Sequence, residues 1–107
     1  MLFPLQFKEG VQLRATQAIN EILRAGQVVF ARVEAPCIVT AGCDGTHGEH
    51  SKHYTDEALD LRIFHLKSDD IQPVVKGLKE LLGQDFDVVL EKDHIHVEFD
   101  THGRLKV

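Results

Sequence analysis

A chain of 107 residues has room for one modest hydrophobic core, so a single domain covering residues 1–107 is expected. Its formal charge is −5, with acids and bases interspersed. That excludes the basic stripe which releases counterions from phosphates, so no nucleic-acid binding is expected. No segment is apolar for long enough to span a bilayer, and residues 1–9 lack a basic region leading into a long apolar run. No stable membrane association and no signal peptide are therefore expected, which places synthesis in the cytoplasm.

Residues 2–7 alternate weakly and predict a short edge strand, where Pro4 is tolerated because an edge can spare a donor. From about Glu9, Val11, Ala15, Ala18, Ile19, Ile22 and Leu23 recur at helical spacing, with Arg14, Gln17, Asn20, Glu21 and Arg24 opposite. An amphipathic helix is expected there, ending at Gly26. The β-rich runs 27–33 and 37–41, separated by Glu34-Ala35-Pro36, each predict a strand. Cys37 and Cys43 are too few for a disulfide framework, and their spacing is not a usual one for zinc, so both read as free thiols. Residues 42–52, rich in glycine and without apolar period, predict a long loop.

Residues 58–64 alternate, with Leu59, Leu61 and Ile63 on one side and Ala58, Asp60 and Arg62 on the other, as in a half-buried strand. Ser68 or Asp69 should cap a second helix, about Asp70 to Leu82, whose buried stripe is Ile71, Val74, Val75, Leu78, Leu81 and Leu82. Pro73 belongs in its first turn, Gly77 weakens it by about 1 kcal/mol relative to alanine, and Gly83 ends it. Runs 86–90 and 94–99 predict two strands joined by Glu91-Lys92-Asp93, with His94, His96 and Glu98 sharing one face of the last. The polar tail from Asp100 offers only Leu105 and Val107 for docking. The fold class is α+β: a small, mainly antiparallel sheet with two helices on one face, leaving the other for a metal site.

Two histidine-bearing stretches carry the chemistry: Ser51-Lys52-His53-Tyr54-Thr55-Asp56-Glu57-Ala58-Leu59-Asp60 and Asp93-His94-Ile95-His96. A lone His-x-His is more often part of a solvated strand face than a site. Asp60 on the polar side of another strand, with His53 seven residues before it, changes the balance. Two imidazoles and a carboxylate form the usual ligand set of a catalytic zinc, with a fourth position left for water. His47 and His50 precede His53 at intervals of three and read as polar loop residues or an auxiliary site, while Tyr54 reads as a packing residue.

The first stretch resembles the Ser-x-His-x-x-Gly-x-Ala-x-Asp signature of the zinc D,D-carboxypeptidase and endolysin-peptidase family, with Asp56 standing where that signature has glycine. The second is similar to the same family's Asp-His-x-His element, and the two come in the family's order. The resemblance implies a hedgehog-like fold, a Zn2+ cofactor and hydrolysis of peptide bonds in peptidoglycan stem peptides. It implies His53, Asp60 and His96 as metal ligands, Asp93 as general base and then acid, and His94 beside the metal. Ser51 and Lys52 would support the site. Glu91, three residues before His94, offers the same spacing in an alternative register.

The expected function is therefore a zinc metallopeptidase acting on the bacterial cell wall, with a phage lysis enzyme or tail-associated activity as its setting. The rival expectations are a non-catalytic metal-binding module of the same fold, acting in structure or partner recognition, and a plain structural component with solvated histidines. The sequence is silent on oligomeric state.

Overall fold

Two helices lie against one side of a five-stranded sheet in the computed structural model, which describes residues 3–42 and 57–101. The chain runs β1 (Leu5–Phe7), α1 (Gln17–Arg32), β2 (Cys37–Ala41), β3 (Ala58–Arg62), α2 (Ser68–Leu82), β4 (Phe86–Leu90) and β5 (His94–Phe99). The sheet order is β1-β2-β3-β5-β4. β1 pairs parallel with β2, and the other pairs are antiparallel, so the sheet is mixed with β1 and β4 at its edges. α1 is the crossover that any parallel pair needs.

Alternation decides which face is covered. Val39, Leu59, Leu61, Val88, Ile95 and Val97 point to one side, where they join Ile19, Ile22, Val29 and Phe30 of α1 and Val74, Val75 and Leu78 of α2 in one buried cluster. The residues between them, Asp60, Arg62, His94, His96 and Glu98, line the opposite face and remain partly or fully exposed. No helix among the described residues is long and apolar enough to cross a membrane.

α1 departs from the sequence expectation at both ends. It begins only at Gln17, where Thr16 Oγ1 accepts the Ile19 N–H at 3.1 Å as an N-cap. Val11 and Ala15 lie before it, in a segment that turns at Gly10 with φ 89°. No strand forms over residues 27–33, because the helix continues through Gly26 to Arg32. Ile22, Ala25, Gly26, Val29 and Phe30 keep helical spacing on the buried side, so burial overrides the β-rich composition of that run. Gly26 is a contact point, not a terminator: a Cβ there would stand 2.7 Å from Cys37 Sγ. Its bare backbone lets α1 lie close to β2. The helix ends instead in a Schellman motif, with Glu34 at φ 56°, Ala35 N–H on Phe30 C=O (3.1 Å) and Glu34 N–H on Ala31 C=O (3.0 Å).

α2 starts at Ser68, two residues earlier than expected. Lys67 occupies the N-cap position without a side-chain cap, so neither Ser68 nor Asp69 caps the helix. Asp69 and Asp70 instead set negative charge in the first turn, where the helix dipole favours it. Pro73 therefore lies in the second turn, and the carbonyl its ring leaves without a partner belongs to Asp69, an exposed residue. Leu81, expected in the buried stripe, is 47% exposed. Gly77 has the same use as Gly26, since a Cβ there would meet Val29 Cγ1 at 2.9 Å where the two helices touch.

Candidate functional site

Strand register builds the site. β3 and β5 run antiparallel with Asp60 opposite His96, Arg62 opposite His94 and Ala58 opposite Glu98. Directly opposed side chains on one face are near neighbours, so a row from β5 (Glu98, His96, His94) meets a row from β3 (Ala58, Asp60, Arg62). β2 borders this face through Ile38 and Thr40. Leu61 pairs with Val39 but Asp60 pairs with Ala41, so the register slips around Thr40, and the Thr40 hydroxyl donates to the Asp60 carbonyl at 3.4 Å. Such bulges re-aim side chains beside functional sites.

Asp60 is the meeting point. Its Oδ1 lies 2.9 Å from His96 Nδ1 and 3.6 Å from His94 Nε2. His96 Nε2 reaches Glu98 Oε1 at 2.8 Å, so both of its ring nitrogens face carboxylates. A carboxylate only accepts, so this arrangement favours the ring with a proton on both nitrogens. The hydrogen bond to Asp60 is the largest cause raising the His96 pKa above its ordinary value; partial burial opposes it, and Glu98 adds to it. His94 Nδ1 donates to Asp93 Oδ1 at 2.5 Å, which turns His94 Nε2 toward Asp60.

Asp93 sits in the β4–β5 turn, with its side chain 60% exposed. Glu91 is exposed in the same turn, where its backbone N–H donates to the His94 carbonyl at 2.8 Å. Asp60, Asp93, His94 and His96 thus come together on the uncovered face as the sequence places them. His53, Ser51 and Lys52 lie outside the described residues, as do His47, His50, Tyr54, Asp56, Cys43, Leu105 and Val107. Cys37 is a free, buried thiol whose pKa burial pushes up to about 12. His65 serves packing: its ring stacks on Phe30 with centroids 5.9 Å apart, and its Nε2–H donates to the Pro36 carbonyl at 2.8 Å.

Donor chemistry tests the fit to a metal. Ligands about 2.0–2.1 Å from a tetrahedral zinc lie roughly 3.3 Å from one another. The Asp60–His96 pair at 2.9 Å needs to open only slightly to share such an ion, with the His96 proton leaving as it binds. A pair is not a site, however. Among the described residues, the group whose ligand atoms all lie within 4.8 Å of one another is Asp87, Glu98 and Asp100, and its spacing could hold a metal ion. An all-oxygen set of that kind suits harder cations than zinc.

Sequence reasoning gave Glu98 a place on the right face but no role. Its spacing of two from His96 was the available signal. Asp87 is recoverable only from hairpin register, which sets it opposite Glu98. Comparison with protein-family models, curated proteins and solved structures finds no match to the chain.

Proposed function

We propose that the chain is a zinc-dependent peptidase that hydrolyses a peptide bond in peptidoglycan stem peptides, as a D,D-carboxypeptidase or endolysin-type endopeptidase on a hedgehog-like fold. The observation that carries this reading is the approach of two imidazoles, His96 at 2.9 Å and His94 at 3.6 Å, to the single Asp60 carboxylate on the uncovered face. In it His53, Asp60 and His96 hold the ion, with Ser51 and Lys52 in support. Lysis of a bacterial wall, or a phage tail-associated activity, is the proposed setting.

A zinc ion bound there supplies a Lewis acid for the scissile carbonyl and an acidified water. Asp93 takes a proton from the attacking water and delivers it to the departing amine. To do so it gives up its bond with His94 Nδ1, which frees His94 to present an N–H to the developing oxyanion. Should His94 be the ligand, Glu91 takes the place of Asp93 as the base.

The test is metal analysis joined to a wall-lysis assay. About one zinc per chain is expected, with activity lost on chelation and regained with zinc. Full activity in metal-free protein would reject the mechanism. A non-catalytic metal-binding module is the second reading, and one observation favours it. Asp93 already bonds His94 Nδ1, the arrangement by which a carboxylate orients a ligating imidazole. Zinc retained without hydrolysis of any wall peptide selects that reading.

A further inference from the structure

The two edges of the sheet differ in how they meet solvent. β1 is three residues long, with Pro4 just before it and Lys8 just after, features that discourage further strand pairing. β4, at the other edge, keeps a regular register with β5 over five residues and contains no lysine, proline or bulge. Val89 and Leu90 on it are 43% and 38% exposed. Hydrogen bonding divides this strand by parity. Glu91 N–H donates to the His94 carbonyl at 2.8 Å, and Asp100 N–H to the Asp85 carbonyl at 2.7 Å. Bonded and unbonded pairs alternate in an antiparallel ladder. Asp87 and Val89 therefore bond to β5, while Phe86, Val88 and Leu90 turn their backbone groups to the open edge. The Gly83 carbonyl takes the Phe86 N–H at 3.3 Å. No strand among the described residues meets the rest.

We propose that β4 pairs antiparallel with β4 of a second copy of the chain, about a two-fold axis at Val88, joining two five-stranded sheets into one. Self-complementarity selects this partner and this register. Val88 meets its own counterpart as a bonded pair, each N–H donating to the other's carbonyl. Leu90 N–H donates to the Phe86 carbonyl of the second copy, and the same bond recurs in the other direction. The side chains agree with the backbone. Phe86 and Leu90, both on the helix side, stand opposite each other, and Asp87 stands opposite Val89 on the uncovered face. No like charges are opposed within the strand; just beyond it, Asp85 faces Glu91 of the second copy at each end, which weakens the pair. A two-fold contact closes on itself, so association stops at the dimer. The helices of both copies then lie on one side and both histidine rows on the other, about 14 Å apart across three strand spacings. The pairing needs neither metal nor hydrolysis and stands apart from the peptidase reading.

Sedimentation equilibrium from about 1 μM to about 1 mM protein, with amide hydrogen exchange followed by NMR at both ends of that range, tests the pairing. The mass is expected to double, with a dissociation constant in roughly the micromolar range because one strand pair is a small interface. Exchange at the Val88 and Leu90 amides should slow about tenfold or more with rising concentration, while the Val89 amide, already bonded to β5, stays protected throughout. Leu90→Lys guards the edge with a charge and should raise the dissociation constant about tenfold or more. Glu91→Lys sets opposite charges across each end and should lower it. A monomer at every concentration, growth beyond the dimer, or a dimer indifferent to Leu90→Lys overturns the inference. So does a dimer whose Val88 and Leu90 amides exchange as they do in dilute protein, a result that needs no variant to fold.

Discussion

Asp60 and His96 face each other across β3 and β5, with Asp60 Oδ1 2.9 Å from His96 Nδ1, although 36 residues separate them in the chain. Glu98 closes the other side of the ring at 2.8 Å. This pairing gives the metal-free protein a pH signature of known sign. The folded-state pKa of His96 is raised above its ordinary 6.5, chiefly by Asp60. Folded protein therefore holds this proton more tightly than unfolded protein does. The resulting stabilisation is complete below pH 6.5 and is lost as pH rises through the raised folded-state value. Urea unfolding in the presence of chelator should show that decline, and Asp60→Asn should flatten it. An unchanged slope in Asp60→Asn would contradict the assignment.

The two candidate bases make opposite predictions. Asp93→Asn should keep zinc and lose turnover, whereas His96→Ala should lose the zinc. Removing a positioned general base typically costs 10²–10⁴-fold in rate. If Glu91→Gln is the inactive variant and Asp93→Asn is not, the ligand is His94 and the register shifts by two. Zinc content and peptide hydrolysis measured on the same preparations separate these cases.

Gly26 sets how near α1 comes to β2. Gly26→Ala puts a Cβ at 2.7 Å from Cys37 Sγ, and overpacking of this kind costs about 1–3 kcal/mol. The cost should fall in a Cys37→Ala background, where the sulfur is gone. Equal costs in both backgrounds, by denaturant unfolding, would show that the contact is not the cause.

Glu34 closes α1 in a left-handed conformation with φ 56°, which L side chains adopt at a cost of about 1–2 kcal/mol. Glu34→Gly removes that strain but loosens the unfolded chain. A net gain of about 0.5–1 kcal/mol is expected from the same unfolding assay.

Cys37 should be inert in the folded protein. Its thiol is buried and its pKa is pushed up to about 12, so little thiolate exists at neutral pH. Alkylation of Cys37, mapped by mass spectrometry, should become fast only under denaturing conditions.

Much of this arrangement could be read from residue spacing. A period of two in residues 58–63 and 94–99 is enough to put Asp60, His94, His96 and Glu98 on the face that carries no helix. The helix of residues 17–32 was harder. Gln27 to Val33 has a strand-like composition, and Gly26 looks like a terminator until the packing on Cys37 is known. Local propensity is a weak guide when one buried stripe continues through such a run. The hydrogen bonds of Asp93 to His94 and of Glu98 to His96 depend on rotamers that spacing does not specify. Nor does spacing show that Arg62 and Lys8, 54 positions apart, border one groove.

Alternation from Leu59 to Arg62 and from His94 to Glu98 also bears on which mutations this protein tolerates. On the uncovered face each of these polar residues is one step from a side chain of the buried interior: Asp60 beside Leu59 and Leu61, His96 beside Ile95 and Val97. Point substitutions on that face leave the inward-facing side chains in place. Deletion or insertion of a single codon in either strand turns the pattern over, driving carboxylates inward and leucines outward. Such an insertion or deletion is expected to unfold the protein, where a substitution on the exposed face does not.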